Sequence, residues 1–168
     1  QYSVGHLKKL IRTIARSPGV EGLQLLAHSR GAALLLSAFR ELSIEAVAAG
    51  RAPVDEYKIE NLILMSPDID AEVATQQIIV FASDPGITSL WSGPDLPRFL
   101  RGRLTIYASP TDRALGLSRL LFRSVERVGQ LTPDKISPPM RDLFEKLGNV
   151  DIIVYEGKHT DFFGHTYF

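Results

Sequence analysis

Apolar and polar positions follow two different spacings near the start of the chain. Within residues 2–16 the apolar side chains recur three or four positions apart, which is the spacing of one face of an amphipathic helix. They are Val4, Leu7, Leu10, Ile11 and Ile14. A Ser-Pro-Gly triplet ends this segment, and residues 22–28 then form a short apolar run that is typical of a buried strand. The pattern therefore predicts a helix followed by a strand.

The same two spacings alternate through the rest of the chain. They predict further strands at residues 60–66, 102–109 and 149–157. They predict helices at residues 30–49, 71–82, 113–128 and 140–148, with Gly50 as the cap that ends the first of these. The QQIIVFA run at the end of 71–82 also fits an extended segment. Residues 83–98 and 131–139 are rich in proline or glycine and predict loops, the first long enough to form a lid or a pocket wall.

The alternation of strands with helices determines the predicted fold class. Such alternation predicts parallel β-α-β units, and strands that are apolar throughout predict that both faces of the sheet are covered. The fold class is therefore α/β, a three-layer sandwich with a mainly parallel sheet of about four strands, in a single domain over residues 1–168. In such sheets the functional residues lie beyond the carboxyl ends of the strands.

Composition narrows the classes of function. The 168 residues include 19 basic and 19 acidic side chains, so the formal net charge is zero, which argues against a nucleic-acid partner. The absence of cysteine excludes disulfides and thiolate ligands. Four histidines without His-Glu-x-x-His spacing, and no glycine-rich phosphate turn, predict neither a metal nor an organic cofactor. The sequence contains no run of about 18 apolar residues, so no membrane span is predicted in this segment.

Ser29 lies between the first predicted strand and its helix, in the stretch LQLLAHSRGAALLL. A serine hydroxyl is a weak nucleophile until a base removes its proton, and a tight strand-to-helix turn would expose it at a rigid point. Such a turn needs small residues two positions away, and Ala27 and Gly31 supply them. The backbone N–H of Arg30 would then face an oxyanion. The alternative is that Ser29 only caps the helix. His28 is expected to point away and to be packed and hydrogen-bonded.

An activated serine needs a base and a group that orients this base. Asp112 follows the third predicted strand, and its place matches the Ser, Asp, His chain order of α/β-hydrolases. It would also suit the N-cap of the next helix, and both roles are expected to be compatible only if the carboxylate points outward. Asp68 and Asp70, after the second strand, are the alternatives for the acid. His165 and His159 both follow the last strand, and His165, within FFGHTYF, is preferred as the base.

Four stretches resemble, in chain order, the landmarks of a bacterial α/β-hydrolase family catalogued as a domain of unknown function (DUF900). They are LLAHSRGAALLLSAFREL, NLILMSPDIDAEV, LTIYASPTDRALGLSRLLF and FFGHTYF. The resemblance covers about residues 5–168. It implies a triad of Ser29, Asp112 and His165. It also implies that the chain is incomplete at its N-terminus and lacks the early strands and a second oxyanion donor. An upstream segment or a second copy is then expected to cover the edge of the strand at residues 22–28.

Together these features predict a serine hydrolase that cleaves a carboxylic ester or a related acyl bond of a small molecule, in the cytoplasm or periplasm of a bacterium. Ser29 would attack the carbonyl carbon, His165 would move the proton, and Asp112 would orient His165. The alternative is a non-catalytic α/β-hydrolase-fold scaffold or binding module that retains the turn for packing. Amide hydrolysis and acyl transfer fit the same residues.

Overall fold

The computed structural model of the protein describes residues 2–83, 100–122, 126–157 and 162–166. Its strands are β1 (Leu23–His28), β2 (Ile59–Met65), β3 (Leu104–Ala108) and β4 (Val150–Val154). Its helices are α1 (Tyr2–Ala15), α2 (Arg30–Ala48), α3 (Pro53–Tyr57), α4 (Ala71–Ser83), α5 (Arg113–Phe122) and α6 (Pro138–Leu147). Two short 3₁₀ turns, Val128–Gln130 and Pro133–Lys135, lie between α5 and α6.

The four strands form one sheet in the order β1-β2-β3-β4, and every neighbouring pair is parallel. Helical residues lie in each connection, as parallel neighbours require. The predicted parallel α/β class is therefore confirmed. Because the strands share one direction, the residues that follow them lie at the same edge of the sheet, which is called the carboxyl edge below.

One face of the sheet carries the core. Alternate residues of the two central strands are buried on this face, including Leu62, Leu64, Leu104 and Ile106. They belong to one apolar cluster with residues of α2 such as Leu36. The helix is held at its far end by the predicted cap, because Gly50 has a positive φ of 68° and its N–H donates to the carbonyl of Val47.

The opposite face is more open than its apolar strands predict. Leu26, Ile63, Thr105 and Asp151 lie side by side across the four strands on this face. Leu26 is 60% exposed, and Ile153, farther along β4, is 43% exposed. Among the described residues, the core face is therefore well covered, and the opposite face is only partly covered. A run of apolar residues reports the low polarity of a strand, but it does not show which element packs on each side.

The segment after α5 differs from its prediction. A helix was expected over residues 113–128, but Arg127 forms an antiparallel bridge with Asp70, and a 3₁₀ turn follows. Within this turn the N–H of Gly129 donates to the carbonyl of Pro67. A Cβ at Gly129 would lie 2.8 Å from the backbone carbon of Ser66, so the close approach needs glycine. Tertiary contact with the end of β2 therefore overrides the helical pattern here.

The remaining findings concern the segments that connect the strands. The QQIIVFA run is helical within α4, and α3 was not predicted at all. Residues 84–99 lie outside the described residues, so a lid within the predicted loop at 83–98 stays a prediction. Within the ranges that the structure describes, none of the helices combines the length and the apolar character needed to cross a bilayer.

Candidate active site

Ser29 is the single residue between β1 and α2, and its backbone is strained. Its φ of 53° and ψ of −126° lie outside the regions that side-chain-bearing residues usually adopt. Three hydrogen bonds hold it there. Its N–H donates to the carbonyl of Met65 at 3.0 Å, and its carbonyl accepts from the N–H groups of Asp68 at 3.0 Å and Ala32 at 3.1 Å. The backbone of Ser29 is therefore held by the turn that follows β2.

The side chain of Ser29 does not cap the helix. Ser29 occupies the N-cap position of α2, but its hydroxyl makes no capping hydrogen bond. The simple capping role considered from the sequence is therefore wrong for this hydroxyl. A positive φ at a serine whose hydroxyl makes no cap is backbone strain of the kind that clusters at functional sites.

The small residues on either side of Ser29 face each other, as the turn requires. A Cβ placed on Gly31 would lie 4.0 Å from the Cβ of Ala27, which is ordinary van der Waals contact. Gly31 also has no positive φ, so one extra methyl group would fit. The structure therefore leaves room for alanine at position 31.

Asp112 is buried at the carboxyl edge and uses its two oxygens differently. Its Oδ1 accepts a hydrogen bond from the N–H of Leu115 at 3.0 Å, which caps the N-terminus of α5. Its Oδ2 lies 2.7 Å from Nδ1 of His165. The side chain of Gln130 donates to the backbone carbonyl of Asp112 at 2.7 Å. The expectation that a cap and a contact with the base need an outward carboxylate is corrected, because one buried carboxylate makes both contacts.

His165 is held from two directions. Its imidazole meets Asp112 at Nδ1, and its side chain is 17% exposed. Its backbone carbonyl lies 3.0 Å from the hydroxyl of Ser66, which donates to it, and 3.3 Å from Nε2 of His28. The rings of His28 and His165 are 4.7 Å apart and tilted by 48°. The prediction that His28 is packed and hydrogen-bonded is confirmed, with the unforeseen result that its partner is His165.

The residues before His165 are tied to the start of α5. The N–H of Arg113 donates to the carbonyl of Phe163 at 2.8 Å, and Gly164 is buried with a φ of 63°. Because Arg113 directly follows Asp112, this hydrogen bond brings the tail next to the carboxylate. The glycine before the histidine thus permits a turn that a residue with a Cβ would disfavour.

Ser66 is a site residue that the sequence interpretation missed. It follows β2 as Ser29 follows β1, it is fully buried, and its φ of 44° is also positive. Pro67 comes next, and the residue before a proline usually adopts an extended conformation. This preference disagrees with the positive φ observed at Ser66. The one available signal was its position, a serine at the very end of a predicted strand.

The alternative acids are engaged elsewhere. Oδ1 of Asp70 accepts from the N–H groups of Glu72 at 2.9 Å and Val73 at 3.3 Å, so Asp70 caps α4. Asp68 accepts hydrogen bonds from the hydroxyl of Ser118 at 2.7 and 3.0 Å. The structure thus brings Asp112, rather than either alternative, to His165. The alternative base, His159, lies outside the described residues.

The chemistry open to this site follows from the side chains that the structure places at the carboxyl edge. Among the described residues, no group of three or more His, Asp or Glu side chains could hold a metal ion. The site instead joins a strained serine turn with an imidazole and a carboxylate at the carboxyl edge. These parts can accept a proton from a hydroxyl and stabilise the resulting imidazolium.

Comparison with known proteins identifies the family of the chain. Searches of curated proteins and of solved structures found no significant match. A family model described as an alpha/beta hydrolase of unknown function (DUF900) matches residues 1–168. The chain therefore belongs to this family of α/β-hydrolases of unknown function.

Proposed function

We propose that the protein is a serine hydrolase that cleaves a carboxylic ester or a related acyl bond with Ser29, His165 and Asp112. The observation that carries the proposal is the 2.7 Å contact between Nδ1 of His165 and Oδ2 of Asp112, at the edge where Ser29 sits in its strained turn. The carboxylate accepts only, so the proton of this hydrogen bond is on Nδ1. Nε2 then carries the lone pair that a general base needs.

The reaction follows from these roles. Nε2 of His165 takes the proton of Ser29 as Oγ attacks the carbonyl carbon, and Asp112 stabilises the imidazolium that forms. His165 then gives this proton to the leaving alcohol, which leaves an ester between Ser29 and the acyl group. Water attacks this acyl-enzyme with the same base, and the acid product is released. Atoms and charges balance without a cofactor.

The negative charge on the substrate oxygen needs stabilisation. Arg30 is the first residue of the 19-residue helix α2, and its backbone N–H directly follows Ser29. The N-terminal end of a helix carries partial positive charge, which favours an anion there. The N–H of Arg30 therefore serves as an oxyanion donor.

The test is covalent labelling of Ser29. The folded chain is treated with a fluorophosphonate probe, and the labelled peptide is identified by mass spectrometry. We expect one adduct on Ser29 in the wild type and none in Ser29→Ala. Ser37→Ala is the matched control, because Ser37 lies on the same helix and donates to the carbonyl of Ala33 at 2.9 Å. Labelling that persists in folded Ser29→Ala would refute the assignment.

A binding role is the second candidate function, and the exposed sheet favours it. Leu26 on edge strand β1 is 60% exposed, which suits association through this strand with a second copy of the chain. Analytical ultracentrifugation of the wild type and of Leu26→Lys tests this role. Dimerisation that the substitution abolishes, together with a wild type that neither labels nor cleaves p-nitrophenyl esters, would favour the scaffold over the enzyme.

A further inference from the structure

We propose that the turn from Met65 to Asp68 is a common support that holds Ser29 and His165 at a fixed separation, and that Ser66 and His28 act as positioning residues within it. The inference rests on the proposed function, because it assigns to this turn the alignment of a nucleophile with its base. Neither Ser66 nor His28 touches the reacting atoms in this assignment. They act through the backbone of His165.

Four hydrogen bonds define the support. Met65 and Asp68 hold the backbone of Ser29 from both sides, through the Met65 carbonyl and the Asp68 N–H at 3.0 Å each. Between these two residues, the hydroxyl of Ser66 donates to the carbonyl of His165 at 3.0 Å. The N–H of Ser66 itself donates to Tyr107 of β3 at 3.1 Å, which anchors the turn in the sheet. One short turn therefore contacts both residues that must be aligned.

His28 adds a second donor to the same carbonyl. The distance from its Nε2 to the carbonyl oxygen of His165 is 3.3 Å. A carbonyl oxygen only accepts, so Nε2 of His28 must carry a proton for this hydrogen bond. His28 is also the residue directly before Ser29. The nucleophile and the base are thus connected a second time, through one residue of β1.

A support of this kind is needed because of where His165 lies. Residues 162–166 form neither helix nor strand, so no regular hydrogen-bond ladder holds them. Asp112 fixes the direction of the ring at Nδ1, but a shift of the backbone would still move Nε2 relative to Ser29. A misplacement of about 1 Å can lower a rate by about 100-fold. The positive φ of 44° at Ser66 is accordingly retained strain at a functional position.

Two substitutions of Ser66 separate its hydroxyl from its backbone. Ser66→Ala removes the donor and keeps the unfavourable positive φ, whereas Ser66→Gly removes the donor and relieves the strain. We expect kcat for a p-nitrophenyl ester to fall by about tenfold in both, with KM changed by less than about twofold, because one hydrogen bond of the aligned state is lost. A purely structural role predicts instead that activity follows stability and that Ser66→Gly is less impaired than Ser66→Ala.

Ser43→Ala is the matched control. Ser43 is also a buried serine that donates to a backbone carbonyl, that of Phe39 at 2.8 Å, but it lies in the middle of α2 away from the carboxyl edge. Its kcat should stay within about twofold of the wild type at a temperature where all variants are folded. Values of kcat within about twofold of the wild type in both Ser66 variants would overturn the proposal.

Substitutions of His28 test the second donor. His28→Gln places an amide N–H near the former Nε2 and should retain most of kcat, whereas His28→Leu lacks a donor and should lose about five- to tenfold. Equal activity in the two variants would show that the contact of His28 is packing alone and would remove it from the support.

An NMR measurement keeps this inference separate from the proposed function. The Nδ1 proton of His165, hydrogen-bonded to Asp112, should give a low-field signal that is sharp in the wild type and in Ser43→Ala. We expect faster exchange with water in Ser66→Ala. If the wild type fails to label at Ser29, the proposed function fails, and this signal still tests the support. An unchanged signal in Ser66→Ala would overturn the support even if Ser29 labels normally.

Discussion

Two aspartates at the carboxyl edge, the buried Asp112 and the partly buried Asp68, differ in the partners that their carboxylates meet. Asp112 follows β3 and gives one oxygen to the N-terminus of α5 and the other to His165. Asp68 follows β2, and its oxygens receive the hydroxyl of Ser118, with Nε of Arg127 at 3.5 Å from Oδ1. Both aspartates lie after a strand, and both are shielded from solvent.

The difference shows that position after a strand does not by itself assign a chemical role. Arg127 is a permanent cation and cannot exchange a proton near neutral pH, so its pair with Asp68 has a structural role and no part in proton transfer. Imidazole changes its charge near neutral pH, so a carboxylate beside it stabilises the protonated form when the ring takes a proton. The nature of the second partner therefore separates the proposed catalytic carboxylate from the structural one.

The largest expected effect comes from Asp112→Asn. The N–H of Leu115 should keep the amide oxygen on the cap side, so the amide nitrogen faces Nδ1 of His165. Two donors then meet, the ring is driven to the wrong tautomer, and kcat for a p-nitrophenyl ester should fall by about 10⁴-fold. The melting temperature should change little because the cap remains.

Asp68→Asn is the matched control for this substitution. It makes the same chemical change at the other carboxylate, and kcat per folded molecule should stay within about threefold of the wild type. An equal loss of activity in Asp112→Asn and Asp68→Asn would contradict the distinction between the two carboxylates, because the carboxyl edge would then act as one electrostatic unit.

The second-largest expected effect is a loss of protein stability when Asp68 is replaced. Replacing Asp68 with leucine leaves the buried guanidinium of Arg127 without its carboxylate, and the free energy of unfolding in urea should fall by about 3 kcal/mol. Adding Arg127→Met should recover part of this loss, because removal of both charges is close to neutral. Ser118→Ala should cost only about 1 kcal/mol. A double variant as unstable as the sum of both single variants would contradict the ion pair.

The smallest expected effect is on the pKa of Asp151, an exposed carboxylate near the opposite edge of the sheet. Arg103 donates to Asp151 from Nε, and from Nη2 at 2.7 Å. This hydrogen bond lowers the pKa of Asp151 below its usual value of 3.8. The resulting stability is present above this usual pKa and is lost as the pH falls through the lower pKa of the folded state. Exposure keeps the contribution small.

An NMR titration of Arg103→Leu measures this effect directly. The pKa of Asp151 should rise towards its usual value, while that of Asp134 stays low, because the side chain of Thr132 is the main cause of the low pKa there. An unchanged pKa of Asp151 would show that the ion pair does not persist in solution.

Local signals in the sequence accounted for the serine turn but could not decide its partners. The apolar run before Ser29, the small residues beside it and the helical pattern after it are all local, and they predicted the observed strand-turn-helix. The choice between Asp112 and Asp70 was different. Both follow a predicted strand and both precede a helix, and both prove to be caps. The chain order and the family resemblance favoured Asp112, and in the structure the tail brings His165, 53 residues farther along the chain, to this aspartate.

Ser66 and the exposed face of the sheet also show what local sequence patterns cannot determine. A residue before proline usually adopts an extended conformation, yet Ser66 has a positive φ of 44°. Apolar strands predicted cover on both faces, and Leu26 is nevertheless 60% exposed. In both cases the local pattern describes a preference of the chain, and long-range contacts decide whether that preference is met.

The sequence by itself determined the parallel α/β class and the serine between β1 and α2, because period, breakers and small residues act over a few positions. The tertiary structure alone decided that Asp112 meets His165, that Asp68 meets Arg127, and that Ser66 and His28 hold the carbonyl of His165. The physical reason is that hydrogen bonds depend on distances in space. These distances are set by how the strands pair and where the tail docks, which no local spacing encodes.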